Sequence, residues 1–267
     1  MEELIGRGRT ADVFRYDDNK VVKIFHAEFT HLAYEEFEKA IKINNLGISA
    51  PHVYDLIDIG SGKGIVYELV QGMSMIQQMQ MQPLKVTQYA NKLANLHAQI
   101  HCKSVSGLSK VKDSLISAID KVQSIKPTEK ESITKYINTL PDGDYLCHFD
   151  FHPGNILISN DTLNVIDWMT AEVGSPCADV CRTGIILNSS ILPPGVSVFD
   201  KIMIKTFRKT LYRKYIAHYC KITGVTPKEV DRWLLPVAAA RLAEDIEEET
   251  AYLSNIISRK LYYSRTL

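Results

Sequence analysis

The fold is decided by residues 145–168, which read YLCHFDFHPGNILISNDTLNVIDW. A polar segment comes first, and the apolar residues after it lie on both sides of a turn at 159–161. Short apolar runs around a turn rich in Ser, Asn and Asp are typical of a β-hairpin. We therefore predict a polar loop followed by a short hairpin, with Asp150, Asn155 and Asp167 at its mouth.

The polar side chains of this loop have the spacing H-x-D-x4-N, formed by His148, Asp150 and Asn155. A carboxylate on a rigid loop accepts a proton from a substrate hydroxyl, which is the role expected of Asp150. Asn155 and Asp167 carry oxygen ligands of the kind that Mg²⁺ prefers. Together these groups suit phosphoryl transfer, in which catalysis is mostly positioning and charge neutralisation. On this motif alone a second interpretation stays open, in which the same residues only cap a buried loop.

The segment before Gly72 has the pattern of a small β-rich lobe. Short runs of β-branched and aromatic residues, LIG, ADVFRY and KVVKIFH, predict strands, and a helical pattern over 30–46 ends at Gly47. A further hairpin follows Pro51, with the glycine-rich turn GSGKG between its strands.

The pattern changes after Gly72, and helical patterns dominate from Pro83 onward. Apolar residues recur at helical spacing over 84–101, 112–124, 129–139, 198–222 and 227–257. The sequence therefore predicts an α+β fold of two lobes. A small N-terminal antiparallel β lobe with one helix would span residues 1–71, and a larger, mainly helical C-terminal lobe would span 72–267.

The composition describes a folded chain without a charge excess. Of the 267 residues, 45% are hydrophobic and 23% are charged, which excludes a disordered chain. Lysine plus arginine and aspartate plus glutamate number 31 each, so the sequence argues against a nucleic-acid partner. No apolar run is long enough for a signal peptide or a membrane span, and the five cysteines are scattered. We predict a cytoplasmic protein with reduced thiols and no membrane partner.

Phosphoryl transfer requires a nucleotide site, and the first strands offer a candidate. Gly6, Gly8 and Thr10 lie in the segment that joins the first two strands, where glycines would let backbone N–H groups approach phosphate oxygens. A lone G-x-G is weak evidence, and Ala11 stands where a third glycine would be. The segment is not a P-loop, because no GK[ST] follows.

Lys23 lies in the middle of a predicted strand, where a lysine is more often a solvated edge residue. Here the hairpin would fold the strand back beneath the glycine loop, so that the ammonium group meets the α- and β-phosphates. A cation in that place requires a carboxylate, and the next helix offers Glu35, Glu36 and Glu38.

The sequence resembles the aminoglycoside phosphotransferase and choline kinase family, whose members are relatives of the protein kinases. The likeness lies in the order of its motifs, which are G-x-G, V-V-K, a helix glutamate, an apolar hinge, H-x-D-x4-N and I-D-W. The match in order and spacing extends over roughly residues 1–190, and CHFDFHPGNIL carries the closest likeness. The resemblance implies a bilobal, protein-kinase-like fold that binds ATP and Mg²⁺, with GTP left open as the nucleotide.

The resemblance also implies roles for individual residues. Asp150 would be the base, or the orienting carboxylate, for the acceptor hydroxyl. Asn155 and Asp167 would hold Mg²⁺. Lys23 would contact the α- and β-phosphates and pair with Glu36, while Glu35 remains the alternative partner.

The hinge YELVQG resembles the segment of the family that binds adenine. It implies that the Glu68 carbonyl accepts from the adenine amino group and that the Val70 N–H donates to the ring. Two positions depart from the family pattern. Phe149 stands where glycine is frequent, and Ala11 replaces a glycine, but neither change removes a functional group.

The segment after Asp167 bears on the acceptor. Protein kinases carry a long activation segment ending in A-P-E, which is absent here. Instead, the stretch MTAEVGSPCADV reaches Asp179 twelve residues after Asp167. The resemblance implies that Asp179 braces the catalytic loop. A small hydroxylated molecule is therefore favoured over a protein as the acceptor, and the acidic run AEDIEEE at 243–249 is a candidate wall for a cationic one. The competing interpretation of that run is a solvated helix face.

His97 and His101 stand four residues apart on a predicted helix, a spacing that can hold zinc. No third ligand lies nearby in the sequence, so we predict that both are structural.

The resulting prediction is an enzyme, an ATP- and Mg²⁺-dependent phosphotransferase that acts on a hydroxyl group of a small molecule. The alternatives are a protein kinase-like enzyme and a catalytically silent nucleotide-binding regulator. The identity of the acceptor and the oligomeric state stay open.

Overall fold

The computed structural model describes residues 3–60, 62–189 and 197–264. By packing, the chain divides into two units. The first unit comprises Met1–Met81 and Pro153–Ala171, and the second comprises Gln82–His152 and Glu172–Leu267. The lobe boundary between residues 71 and 72 stays a prediction.

The strands of the described residues, in chain order, are β1 Leu4–Arg7, β2 Ala11–Arg15, β3 Lys20–Phe25, β4 Val53–Ile59, β5 Gly62–Glu68, β6 Met73–Ser74, β7 Tyr145–Cys147, β8 Ile156–Ser159, β9 Thr162–Val165 and β10 Glu172–Gly174. The α-helices are α1 Ala33–Asn45, α2 Met75–Met81, α3 Val86–Ile100, α4 Val111–Lys121, α5 Pro127–Thr139, α6 Pro176–Leu187, α7 Val198–Thr223, α8 Pro227–Asp231, α9 Leu234–Arg241 and α10 Glu247–Ser264. The predicted α+β class is confirmed.

The first unit is built on a five-stranded antiparallel sheet in the order β1-β2-β3-β5-β4. Helix α1 follows a 3-10 turn at Ala27–Leu32 and packs its apolar side against strands of this sheet. The buried cluster between them comprises Ala11, Phe25, Ala33, Ala40, Val53 and Ile65. Each large apolar side chain buried in this way stabilises the unit by about 1.5–3 kcal/mol. The predicted single helix and antiparallel strands are therefore present.

The predicted hairpin at 145–168 is present as β8 and β9, and β6 adds a third strand in the order β6-β8-β9. Its turn places Asn160 and Asp161 at φ of 46° and 63°, a left-handed conformation that these residue types tolerate. Gly72 lies directly before β6. Only glycine fits there, because a Cβ would lie 2.2 Å from the Ile158 carbonyl oxygen. Helix α2, which follows β6, was not predicted.

The second unit is mainly helical. Helix α3 packs along α7, and β7 pairs with β10 in a separate two-stranded sheet. Helix α6 was not predicted, although Pro176 occupies its first position, where proline is favoured. No helix among residues 3–60, 62–189 and 197–264 combines the length and the apolar character needed to cross a membrane.

The helical pattern at 227–257 was predicted as one element, and the structure divides it into α8, α9 and α10. Pro236 has no N–H to continue a helix from Asp231, so α9 restarts at Leu234 with the proline in its first turn. Asp245 is left-handed, at φ 52°, which separates α9 and its 3-10 extension from α10. Local backbone chemistry therefore interrupts an otherwise continuous apolar pattern.

Candidate active site

Lys23 lies in the middle of β3, where Val13 and Ile65 are its neighbours across the sheet. Its ammonium nitrogen is 2.8 and 2.9 Å from the two carboxylate oxygens of Glu36 and 3.0 Å from Asp167 Oδ1. Strand β3, helix α1 and the turn after β9 thus each contribute one charged group to a cluster in the first unit.

The environment of this cluster keeps Lys23 protonated. Burial alone would lower the pKa of Lys23, but the carboxylates of Asp167 and Glu36 outweigh it and hold that pKa above its ordinary value. Burial also raises the pKa of Glu36, against the attraction of Lys23. The Glu36 side chain is 2% exposed and the Asp167 side chain 43%, so the cluster has a buried side and an open side.

Glu36 is held by a residue that the sequence did not single out. The Tyr67 hydroxyl donates to Glu36 Oε1 at 3.1 Å, and burial raises the pKa of Tyr67 well above its ordinary value. Glu35, the alternative partner of Lys23, instead lies 2.8 Å from Lys39 Nζ. No local signal links Tyr67 to Glu36, because the two are 31 residues apart and meet only through packing.

Asp167 and Asn155, the two predicted metal ligands, are joined through the base of the hairpin. The Ile166 N–H donates to the Asn155 carbonyl at 3.0 Å, and the left-handed Asp167 follows at φ 62°. Lys39 fixes the next turn by donating to the Met169 carbonyl at 2.7 Å. One carboxylate and one amide side chain form a donor set that fits Mg²⁺.

Hydrogen bonds within the first unit hold the backbone of the glycine segment. The Gly8 N–H donates to the Ala11 carbonyl at 2.9 Å, and a Cβ at Gly8 would lie 2.8 Å from that same oxygen. Gly8 is therefore required by the turn, which already uses its amide. A Cβ at Gly6 would meet only Val13 Cβ, at 3.9 Å, while the Thr10 carbonyl accepts the His26 N–H at 2.9 Å. Phosphate binding by Gly6, Gly8 and Thr10 stays a prediction.

The hinge lies at the end of β5. The Glu68 N–H donates to the His52 carbonyl at 2.8 Å, and Glu68 Oε2 accepts the His52 N–H at 3.1 Å. The Leu69 N–H is bonded to the Asn19 carbonyl. Among residues 3–60, 62–189 and 197–264 no backbone bond from the Val70 N–H is formed, and adenine binding by Glu68 and Val70 stays a prediction.

Asp150 belongs to the second unit, in the loop after β7. Its N–H donates to His148 Nδ1 at 3.2 Å, and its carboxylate lies 3.6 Å from His152 Nε2. Burial would raise the pKa of Asp150, but His152, Arg182 and His148 outweigh it and hold that pKa well below its ordinary value. Asp150 is therefore an ionised carboxylate that can accept a hydrogen bond or a proton.

The loop that carries Asp150 is held by α6. Asp179 accepts the His148 N–H at 2.5 Å and the Phe149 N–H at 3.0 Å, and Thr183 Oγ1 donates to the Phe151 carbonyl at 2.9 Å. Asp179 thus has the position that the family resemblance implies for a brace. The contribution of Thr183 was missed, although it follows Asp179 by one helical turn.

Asp179 also brings together the two histidines that were predicted to be structural. His97 Nε2 lies 3.1 Å and His101 Nε2 lies 3.3 Å from Asp179 Oδ2. On their other sides, the Nδ1 atoms contact the hydroxyls of Tyr215 and Tyr219 at 2.6 and 2.7 Å. This trio has metal-ligand chemistry, with the third group supplied from 78 residues beyond His101. We interpret it as a brace, because Asp179 already accepts two backbone N–H groups and His97 stacks on Phe151.

The acidic run at 243–249, a candidate wall for a cationic acceptor in the sequence, does not present all of its carboxylates to solvent. Glu249 is fully buried, with one oxygen 2.5 Å from Arg241 Nε. Glu244 lies 2.5 Å from Arg182 and 3.2 Å from Arg241. Two carboxylates of the run are therefore neutralised inside the protein, because arginines from other parts of α6 and α9 reach them.

Comparisons with known proteins add a family and a fold. Residues 2–227 match the family model described as the APH phosphotransferase enzyme family. Among solved structures, the chain is similar to a thermostable mutant of aminoglycoside phosphotransferase APH(4)-Ia in a ternary complex with AMP-PNP and hygromycin B. The two sequences are 13% identical, and the structures align with a TM-score of 0.67 over 97% of this chain and 92% of that chain. No curated protein sequence matches the chain.

Two further solved structures have the same architecture. The streptomycin–ATP–APH(2")-IIa ternary complex is 17% identical, with a TM-score of 0.60 over 97% of this chain and 91% of that chain. A choline/ethanolamine kinase family protein from Mesorhizobium loti is 16% identical, with a TM-score of 0.60 over 97% and 86% of the two chains. At these identities the likeness concerns the fold, and it confirms the predicted protein-kinase-like class.

Proposed function

The chain belongs to the APH phosphotransferase enzyme family, and from that premise we propose that it is an ATP- and Mg²⁺-dependent phosphotransferase that transfers the γ-phosphate to a hydroxyl group of a small molecule. The observation that carries the proposal is the cluster of Lys23, Glu36 and Asp167, in which a buried carboxylate holds a protonated lysine beside a half-exposed aspartate. GTP in place of ATP remains the alternative nucleotide.

On this proposal the first unit binds the nucleotide. The positive charge of Lys23 neutralises the α- and β-phosphates, and Glu36 with Tyr67 keeps the ammonium group in place. Asn155 and Asp167 hold Mg²⁺, which supplies charge neutralisation for the transferred phosphoryl group. The Glu68 carbonyl and the Val70 N–H at the hinge bind the adenine edge, and the turn from Gly6 to Thr10 covers the phosphates.

Asp150 acts on the acceptor. Its ionised carboxylate orients the acceptor hydroxyl and takes its proton, while the acceptor oxygen forms a bond to the γ-phosphorus. The bond between that phosphorus and the β,γ-bridging oxygen breaks, and the electron pair leaves with the nucleoside diphosphate. The low pKa of Asp150 keeps the carboxylate ionised at neutral pH, so that it can accept a hydrogen bond from the acceptor hydroxyl and orient it.

Two observations support a small molecule as the acceptor, one from the second unit and one from the solved relatives. Helix α6 begins at Pro176, so the segment after Asp167 is too short for the protein-docking platform of a protein kinase. The relatives in complex with hygromycin B and streptomycin support an aminoglycoside or another hydroxylated metabolite as the acceptor. A cationic acceptor loses part of its support, because Glu244 and Glu249 are paired with arginines.

The expectation of a cytoplasmic enzyme rests on the cysteines. All five are free thiols, and Cys147, Cys177 and Cys181 are buried. Reduced, unpaired cysteines are typical of the cytoplasm.

The deciding experiment is a coupled assay of ADP release over a panel of aminoglycosides and hydroxylated metabolites, with the Asp150→Asn protein as the blank. We expect at least one acceptor to raise ADP release above the blank, with a phosphorylated product visible by mass spectrometry. Nucleotide binding without phosphorylation of any acceptor, including peptides, would identify a silent regulator instead. Phosphorylation of peptides alone would identify a protein kinase.

A further inference from the structure

Arg182 connects the loop of Asp150 to the C-terminal segment of the second unit. Its Nε donates to the Phe149 carbonyl, and its Nη2 lies 2.5 Å from Glu244 Oε1. The guanidinium carbon is 5.7 Å from the centre of the Phe149 ring. The Arg182 side chain is 8% exposed, so its contacts with Phe149 are buried, while the Glu244 carboxylate is partly exposed.

The peptide that Arg182 holds is the one that leads into Asp150. Phe149 is left-handed, at φ 61°, a conformation that a bulky residue adopts only when its surroundings impose it. Asp179 fixes the N–H of Phe149 and Arg182 fixes its carbonyl. Asp179 therefore holds the peptide before Phe149 and Arg182 holds the Phe149–Asp150 peptide, so the two peptides that flank this left-handed residue are both bonded to charged side chains of α6.

Three residues of α6 form this clamp because of their spacing. Asp179, Arg182 and Thr183 stand at i, i+3 and i+4, which places them on one face of the helix. They bind, in order, the N–H groups of His148 and Phe149, the Phe149 carbonyl and the Phe151 carbonyl.

The guanidinium of Arg182 is itself anchored. The second carboxylate oxygen of Glu244 lies 3.2 Å from Arg241 Nη1. Arg241 in turn donates through Nε and Nη2 to the two oxygens of the buried Glu249, at 2.5 and 3.1 Å. Buried ion pairs of this kind fix geometry more than they add stability, because desolvation offsets much of their attraction. The alternating charges hold Arg182 in one rotamer.

We propose that Arg182 is a positioning residue for phosphoryl transfer, which fixes the peptide before Asp150 and is held in turn by Glu244. The inference rests on the proposed role of Asp150, through which Arg182 acts without touching substrate. Removal of Arg182 frees the Phe149 carbonyl and lets the loop adopt other conformations, while the nucleotide-binding residues of the first unit are unchanged.

The test compares Arg182→Met, Arg182→Lys and Glu244→Gln with the wild type. We expect Arg182→Met to lower kcat by about 10–100-fold, the loss typical of a small misplacement of a reacting group, with KM for the nucleotide changed less than about twofold. Arg182→Lys retains the charge but not the several N–H donors of the guanidinium group, so its kcat should lie between those of the wild type and Arg182→Met. The kcat of Glu244→Gln should lie in the same range. A fall in kcat and a rise in nucleotide KM of equal size would overturn the positioning role.

A second readout does not depend on catalysis. Hydrogen exchange of the amides at 148–151 should become about tenfold faster in Arg182→Met and less so in Arg182→Lys, because local opening of the loop becomes easier. Asn188→Ala, at the C-cap of α6, is the matched control, since among the residues that the structure describes the Asn188 side chain bonds only to the Gly184 carbonyl. It should leave kcat and loop exchange unchanged.

The two readouts separate the possible failures. A wild-type protein that phosphorylates no acceptor contradicts the proposed function, and the exchange measurement then still decides whether Arg182 holds the loop. An active wild type with unaltered loop exchange and unaltered kcat in Arg182→Met contradicts the inference alone. If Arg182→Met does not fold, Arg182→Lys and Glu244→Gln carry the same comparison.

Discussion

The ammonium nitrogen of Lys23 lies 2.8 Å from Glu36 Oε1, although a strand end and a 3-10 turn separate the two residues along the chain. Helix α1 presents Glu36 to the sheet and directs Glu35 toward Lys39. The choice between two adjacent carboxylates is thus made by the phase of one helix, because neighbouring helical residues point about 100° apart.

The pairing predicts unequal effects of two neighbouring substitutions. Glu36→Gln leaves Lys23 with Asp167 alone, so we expect kcat/KM for ATP to fall by about 10²-fold as the lysine loses its orientation. Glu35→Gln removes a partly exposed pair worth less than about 1 kcal/mol and should leave kinetics unchanged. Steady-state kinetics at varied ATP make the comparison, and equal losses in both variants would contradict the assigned partner.

Asp150→Asn should separate turnover from nucleotide binding. The amide cannot accept the acceptor proton, so turnover should fall by about 10²–10⁴-fold. ATP affinity, measured by calorimetry, should stay nearly unchanged because Asp150 contributes no predicted nucleotide contact. A variant with full phosphorylation would remove Asp150 from the mechanism.

Asp167→Ala should weaken nucleotide binding only when Mg²⁺ is present. Its carboxylate is one of two predicted ligands, so we expect the affinity for Mg²⁺·ATP to fall by about tenfold or more, with a smaller change in chelator. Asp161→Asn in the exposed hairpin turn is the control, because asparagine also tolerates the left-handed conformation seen there. Unaltered Mg²⁺·ATP affinity in Asp167→Ala would count against the ligand role.

Phe149 occupies a left-handed position, a conformation that favours glycine, yet the residue is only 7% exposed. Phe149→Gly relieves about 1–2 kcal/mol of backbone strain but removes a buried ring whose loss costs about 3–5 kcal/mol. The free energy of unfolding should therefore fall by about 2 kcal/mol, as measured by urea denaturation at neutral pH. An increase in stability would show that strain, rather than packing, dominates at this residue.

His97 gives the protein a specific loss of stability in mild acid. Burial, reinforced by His101, lowers the pKa of His97 from 6.5 to about 4. Between those values the unfolded chain binds a proton that the folded protein does not, so stability falls as the pH is lowered from about 6.5 to about 4. The loss of stability over this pH range is on the order of 3 kcal/mol.

Urea denaturation at several pH values measures this slope. His97→Gln should be less stable at pH 7 but should flatten the dependence between pH 6.5 and 4, whereas His31→Gln, at an exposed histidine, should leave it as in the wild type. Asp179 has a lowered pKa, so its own stabilisation is lost only at more acidic pH and does not obscure the test. An identical slope in His97→Gln and the wild type would refute the assignment.

The sequence by itself determined the class of elements and the chemistry of the motif. Runs of β-branched and aromatic residues predicted the sheet strands, and apolar runs around a polar turn predicted the hairpin after Asp150. Helical spacing predicted most helices of the second unit, and all of these signals are local. Helices α2 and α6 were missed. Helix α6 is buried on nearly every side and therefore lacks the amphipathic contrast on which prediction depends.

Only the tertiary structure decided which side chains meet. It paired Glu35 with Lys39, placed Tyr67 on Glu36, and paired Glu244 and Glu249 of the acidic run with arginines. These partners are set by helix phase and by packing between segments that are distant in the chain, and a sequence pattern carries neither. The chain specifies which charges exist, and folding specifies which of them remain available.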